Sequence, residues 1–396
     1  MGKSPRSSPD TLAAHLGRDS NLSQGFVNLP VYHGSTVLFD TYEDLEHSHQ
    51  SRNEMNQIAY GRYGTPLSFA LEQSVAELEG AFGGITTSSG LAAITSSIMS
   101  FTGSGDHILV TDSVYKPTRS FCDVVLKGYG VETTYYDPLI GDGISDLIRP
   151  ETKVIFLESP GSQTLEVQDL PAITSVAREN GVVTMLDNTW ATPLYLNPFE
   201  LGVDVSIHAA TKYITGHSDA MLGIITTTEE HYFTIRDSVR LFGQCAGPDT
   251  IFLGLRGLRT LPTRLRQHHE SGMTIARWLA LRPEVARVIH PALPEDAGYG
   301  IWKRDFSGAS GLFTFILNPV PTCAVAALVN NTKLFGIGYS WGGFESLLIP
   351  FDPTGYRTAT KWETEGPALR MHVGLEDTDD LIADLEAGFE AMAQST

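Results

Sequence analysis

Short apolar runs that stop on polar residues recur through the first two thirds of the chain. Residues 182–186, Val-Val-Thr-Met-Leu, stop at Asp187. Residues 203–207, Val-Asp-Val-Ser-Ile, lead through His208 to Lys212. Runs of this length predict buried strands of a parallel sheet. Further strands are predicted at 106–111, 131–135 and 154–157. Between such runs the period lengthens. Leu67, Leu71, Val75 and Leu78 recur at helical spacing with acids between them, which predicts an amphipathic helix over 67–79. Residues 170–180 predict another, with Gly181 as its C-cap. Strand and helix patterns alternate from about residue 68 to 225, which predicts a doubly wound, mostly parallel sheet.

The ends of the chain differ. Residues 10–17 predict a short helix, and 21–39 form an irregular stretch rich in Gly, Pro and polar residues. A long irregular stretch of this kind is usually functional or lies on a neighbour. Beyond residue 250 the pattern predicts one long helix over 251–271 and strands at 285–290, 311–317, 347–349 and 369–375. A closing helix spans 379–392. The expected organisation is an arm at 1–60, an α/β domain at 61–253 and a smaller α+β domain at 254–396.

Charge narrows the partners. The 396 residues carry 46 acids against 27 Lys and Arg, a net charge of −19. Nucleic acid and anionic membranes reward the opposite sign. Cys122, Cys245 and Cys323 include no CxxC pair, which suggests a reducing compartment. Residues 1–10 are polar, without the apolar core of a signal peptide, and Arg6 stands where a myristoylation signal wants Ser or Thr. No apolar run approaches the roughly 20 residues of a membrane helix. The expectation is a soluble cytoplasmic protein.

Candidate chemistry lies where strands end, since ligands of open α/β sheets bind in that crevice. Asp187 and Lys212 each follow a predicted strand. Pyridoxal phosphate (PLP) needs such a pair: a lysine for a Schiff base and an acid on its pyridinium nitrogen. Singly, the acid could be a turn or cap and the lysine solvated. Ser88-Ser89-Gly90-Leu91 opens a small-residue helix whose free N–H groups could take a phosphate, or Ser could simply cap it. Tyr115 after the 106–111 strand could stack on a planar ring or pack. Arg370, alternating with apolar residues, could clamp a carboxylate or face solvent. Ser340 and Trp341 sit in a Gly-rich loop, as do Tyr60 and Arg62 at the end of the arm. His268-His269-Glu270 lacks metal-ligand spacing, because adjacent helical residues face apart, so no metal is expected.

Four stretches together resemble the PLP-dependent transsulfuration enzymes of cysteine and methionine metabolism. They are Ala210-Thr211-Lys212-Tyr213-Ile214-Thr215-Gly216-His217-Ser218-Asp219, Leu186-Asp187-Asn188-Thr189-Trp190, Phe156-Leu157-Glu158-Ser159-Pro160-Gly161-Ser162 and Leu255-Arg256-Gly257-Leu258-Arg259-Thr260-Leu261. The resemblance spans roughly residues 10–392 and is strongest to the family's cystathionine β-lyase branch. It implies fold type I, the aspartate-aminotransferase-like architecture, with PLP held by Lys212 and Asp187. It implies Tyr115 stacked on the ring, and Gly90, Leu91 and Thr211 on the phosphate. Tyr60 and Arg62 would reach the phosphate of a neighbouring subunit, which implies a dimer at least and usually a homotetramer. Arg370 would bind the substrate carboxylate, with Ser340 and Trp341 beside it. Lys212 would also be the catalytic base, Tyr115 a second catalytic residue, and Tyr60 also a substrate contact.

The implied reaction is α,β-elimination of L-cystathionine to homocysteine, pyruvate and ammonia. Two other activities share the scaffold: a broad cysteine-S-conjugate β-lyase, and a γ-lyase or γ-synthase. Trp341 argues against the γ branch, which generally carries Ser-Leu where Ser340-Trp341 stands. A PLP-binding regulator without activity would not need Lys212, Asp187 and Arg370 together. Three positions depart from the family pattern. They are Ala209 where Ser is frequent, Tyr63 where some β-lyases have a second Arg, and Lys116 after Tyr115.

Overall fold

The computed structural model describes residues 7–19, 21–51 and 54–395. The polar start read at 1–6 lies outside the described residues.

Seven strands build the large sheet: β1 (Gly83–Thr87), β2 (His107–Thr111), β3 (Glu132–Tyr136), β4 (Thr152–Glu158), β5 (Val183–Asp187), β6 (Val205–His208) and β7 (Gly223–Thr227). Their order is β1-β7-β6-β5-β4-β2-β3. The stretch from β3 to β6 is parallel throughout. Strand β7 runs antiparallel to both its neighbours, β1 and β6. The sheet is thus mixed, with the predicted parallel core. Helices cover both faces, so β2, β6 and β7 are buried at every residue; their polar residues, such as Ser206 and His208, are hydrogen-bonded inside.

The second sheet is antiparallel, in the order β10-β11-β9-β8, from β8 (Val285–Ile289), β9 (Leu312–Leu317), β10 (Leu347–Phe351) and β11 (Ala368–His372). The helix Thr378–Gln394 closes the chain. Hydrogen bonds tie the sheets together at the crevice between them, among them these two. Trp190 Nε1 donates to the Leu312 carbonyl at 3.0 Å, and the Gly311 N–H donates to the Tyr213 hydroxyl at 3.1 Å.

Two predictions need correction. The single helix expected over 251–271 is two, Pro248–Leu258 and Leu261–Ala280. The chain breaks at Arg259-Thr260 because Pro262 opens the second helix, where its missing N–H costs nothing. The residue-253 boundary therefore falls inside the first of these helices. The acids of the Pro66–Glu79 helix do not all face water. Glu79 is fully buried and takes hydrogen bonds from Asn188 Nδ2 at 2.8 Å and Ser206 Oγ at 2.7 Å. His208 Nε2 lies 2.9 Å from the same oxygen. Ser206 and His208 of β6, with Asn188 just past β5, override the amphipathic pattern there.

Candidate active site

Strands β4 and β5 end side by side, with Glu158 opposite Asp187 in register. A crevice of about 320 Å³ opens at these carboxyl ends. Gly90, Leu91, Tyr115, Asp187, Thr211, Lys212, Trp341 and Arg370 all line it. Residues up to 280 positions apart in sequence meet there because the parallel strands all end on one edge and the second sheet faces that edge.

Lys212 follows β6 on a tight turn. Its Nζ donates to Ser340 Oγ at 2.5 Å and sits 5.4 Å from the centre of the Trp341 ring. Burial, and then the nearby charge of Arg370, lower its pKa to about 8, although Asp187 pulls the other way. At neutral pH roughly one Lys212 in ten is then an uncharged amine, far more than for a solvated lysine. The loop over Lys212 requires glycine at 342. A Cβ there would come within 2.9 Å of the Lys212 backbone, and its φ of +84° is left-handed. Ser340, at φ +78°, bears the same unusual backbone with a side chain.

Asp187 is 9% exposed. One carboxylate oxygen accepts from the Thr189 hydroxyl and, at 3.0 Å, from the Thr189 N–H. The other has no protein partner among the described residues, so it can accept a proton-bearing ring nitrogen. Burial raises its pKa, partly offset by Thr189, His208 and Lys212. Glu158, whose Oε2 accepts from the Tyr115 N–H at 2.7 Å, is also pushed up, first by burial and then by Asp187. Burial and these two acids raise the Tyr115 phenol as well.

The helix Gly90–Met99 points its start at the crevice. Ser89 caps it by accepting from the Ala92 N–H at 3.1 Å, which leaves the first N–H groups for an anion. Glycine at 90 lets this turn approach: a Cβ there would lie 2.5 Å from Ala209 Cβ. The Thr211 hydroxyl braces the opposite wall, accepting from the Leu222 N–H at 2.9 Å. Arg370 spends one N–H on the Ser340 carbonyl at 2.9 Å, and its remaining donors have no protein partner among the described residues. Burial lowers its pKa to about 10, so it stays charged.

The arrangement fits PLP: an amine for the aldehyde, an unpartnered carboxylate oxygen for the ring nitrogen, helix N–H groups for the phosphate and a guanidinium for an amino-acid carboxylate. Tyr60 and Arg62 are not brought to this crevice. They line a separate cavity of about 450 Å³ with Tyr63 and Arg240, where Arg62 Nη1 donates to the Arg240 carbonyl at 2.5 Å. Sequence reasoning missed the placement of Glu158 on Tyr115 and of Gln163 on the crevice wall. An acid at a strand end beside Asp187 was the available signal for the first; nothing local pointed to the second.

A family profile described as Cys/Met metabolism PLP-dependent enzyme matches residues 10–390. A putative cystathionine beta-lyase of Rhizobium johnstonii is 48% identical over 386 residues, 96% of each chain. Cystathionine beta-lyase MetC of Escherichia coli is 44% identical over 387 residues, 96% of this chain and 98% of that one. The crystal structure of a cystathionine gamma synthase from Xanthomonas oryzae pv. oryzae superposes with a TM-score of 0.89 at 28% identity, covering 99% of this chain and 100% of that one.

Proposed function

Because the chain belongs to the Cys/Met metabolism PLP-dependent enzyme family, we propose that it is a carbon–sulfur β-lyase acting on L-cystathionine. The reaction takes L-cystathionine and water to L-homocysteine, pyruvate and ammonia. Cystathionine beta-lyases at 44–48% identity over nearly the whole chain support this reading. The observation that carries it within the site is Trp341, seated against Lys212 on the face where the γ branch generally has Leu. The cofactor is PLP.

In this reading Lys212 would hold the cofactor covalently, and Asp187 would hold the proton on its ring nitrogen. Gly90, Leu91 and Thr211, which line the crevice, would hold its phosphate, and Tyr115 would lie against its ring. PLP, when bound, takes up the electron pair left at the substrate α-carbon, which allows the sulfur to leave the β-carbon. Arg370 fixes the α-carboxylate through its free donors. With the cofactor bound to the substrate amine, Lys212 would be free to take the α-proton on Nζ; its lowered pKa places it in the range suited to that transfer. The ammonium so formed then gives the proton to the departing thiolate. Ser340 accepts from Lys212 Nζ and steadies it between these two positions. Hydrolysis of the remaining three-carbon fragment gives pyruvate and ammonia.

Assembly and location belong to the same proposal. Tyr60 and Arg62 would complete a neighbouring subunit's site, so the working unit is at least a dimer and, by family habit, a homotetramer. Their position away from this chain's crevice supports this, as do the exposed Phe26, Val27 and Leu38 of the arm. Free thiols at Cys122, Cys245 and Cys323 support a cytoplasmic setting. We place the domain division at Arg259-Thr260, between the two helices. Among the described residues, no helix is long and apolar enough to cross a membrane.

The deciding experiment mixes the purified protein with L-cystathionine and identifies the keto acid and thiol. Pyruvate with homocysteine is expected. 2-Oxobutyrate with cysteine would move the enzyme to the γ branch and overturn the weight placed on Trp341.

A further inference from the structure

The loop that carries Ser340 and Trp341 keeps a backbone that a side chain disfavours. Ser340 stands at φ +78° and Gly342 at φ +84°, both left-handed. A serine persists in that region only where its surroundings hold it. Strand β11 holds this one at two points. Arg370 Nη2 donates to the Ser340 carbonyl at 2.9 Å. Two residues further along the strand, His372 Nε2 lies 3.1 Å from the Gly342 nitrogen and 3.2 Å from the Gly343 carbonyl oxygen. Residues two apart on a strand share a face, so both side chains address the loop from one side. One ring nitrogen serves one of these backbone groups at a time, and either tautomer ties the imidazole to the loop.

The anchor is itself fixed. His372 is 1% exposed. Its ring centre lies 5.9 Å from that of Tyr213, which follows Lys212, and 5.3 Å from that of His268. His268 Nδ1 in turn lies 2.9 Å from the Val373 carbonyl oxygen. Burial, and then His268, push the His372 pKa well below the ordinary value, so the ring is neutral. The loop it anchors ends on the reactive amine, where Lys212 Nζ donates to Ser340 Oγ. We propose that His372 is a positioning residue: by anchoring the backbone at 342–343 it keeps the Ser340 hydroxyl on Lys212 Nζ and the loop closed over that amine. This rests on the β-lyase reading, in which Lys212 moves the proton twice, and adds the group that holds Lys212's partner in place.

The test compares wild type with His372→Gln and His372→Leu. A glutamine amide reaches about as far as Nε2 and offers the loop both a donor and an acceptor, whereas leucine offers neither. On L-cystathionine, His372→Leu should lower kcat about tenfold to thirtyfold with KM within about twofold, and His372→Gln should recover most of the loss. In a Ser340→Ala background His372→Leu should cost about threefold or less, because the two residues act as one unit. The second readout needs no turnover. In the full-length protein without cofactor, acetylation of Lys212 by acetic anhydride is followed against pH by peptide mass. Wild type and His372→Gln should titrate near 8. His372→Leu should titrate about one unit higher, because an open loop admits water to the amine. A variant that is merely less stable would keep the wild-type value below its melting temperature. If His372→Leu does not fold, His372→Asn takes its place, since its amide is too short to reach the loop. An unchanged Lys212 titration, or equal losses of kcat with and without the Ser340 hydroxyl, would overturn the proposal. A wild type that releases no pyruvate from L-cystathionine would overturn the β-lyase reading instead, while the acetylation would still decide the role of His372.

Discussion

Two buried charge clusters lie within one sheet edge of each other, and they are built in opposite ways. Asp112, after β2, is fully buried and saturated. It accepts from the Thr358 N–H at 3.0 Å, the Thr360 N–H at 2.9 Å and the Thr360 hydroxyl at 2.8 Å, besides its two arginines, Arg119 and Arg357. Burial alone would raise its pKa, but these donors hold it at about 2. The crevice around Lys212 also gathers buried charges, two acids, a lysine and an arginine, and leaves them incompletely paired. Burial there moves Asp187 and Glu158 up and brings Lys212 and Arg370 down. Satisfied charges hold an element in place. Unsatisfied ones keep reactivity available for a ligand and lower stability for it.

The sharpest break of the comparison is Lys212→Ala. It should lower turnover on cystathionine by about 10³-fold or more, because one group moves the proton twice. Circular dichroism and the urea midpoint should show the fold intact. A folded variant that turns over at the wild-type rate would remove Lys212 from the mechanism.

Asp112→Asn should do the reverse. It leaves the buried Arg119 without an acid and Arg357 with only Glu166, at a cost of about 3 kcal/mol in unfolding free energy. Proteolysis should then cut first within 352–366. The sign with pH follows from the depressed pKa: the contribution of Asp112 is complete above about pH 4 and is lost as pH falls toward 2. The stability gap between wild type and variant should close over that window. A gap that persists at pH 2 would show that the clasp is not electrostatic.

The smallest effect concerns Lys212 as a burden on the PLP-free protein. Its pKa is about 8 in the fold against 10.5 unfolded, so folding disfavours the charged form. Lys212→Met should be more stable than wild type by about 2–3 kcal/mol below pH 8. The advantage should fade as pH rises through that interval and vanish above about 10.5, where lysine is neutral in both states. Denaturant titrations across pH measure it; a pH-independent difference would mean packing, not charge, separates the two proteins.

Much of this was legible along the chain. The apolar runs located β2 to β6 to within a few residues, since buried parallel strands leave a local signal; the antiparallel β1 and β7 were not read from them. Lys212 and Asp187 were legible because each sits directly after such a run. Trp341 and Arg370 were legible through the resemblance rather than through periodicity. The acids of the Pro66–Glu79 helix misled, since Glu79 answers to Asn188, Ser206 and His208, all more than 100 positions away. The break at Arg259-Thr260 was hidden because the apolar period runs on across it.

By itself, then, the sequence determined the alternation of elements, the strand ends that carry Asp187 and Lys212, and the family. Periodicity and strand-end chemistry are local properties that a linear chain displays. Only the tertiary structure decided which charges are spent and which remain free. Arg119 and Arg357 look no different in sequence from Lys116 or Arg370. They differ because Asp112 reaches the first two and, among the described residues, no acid pairs with the others, and pairing across 245 positions is a property of packing alone.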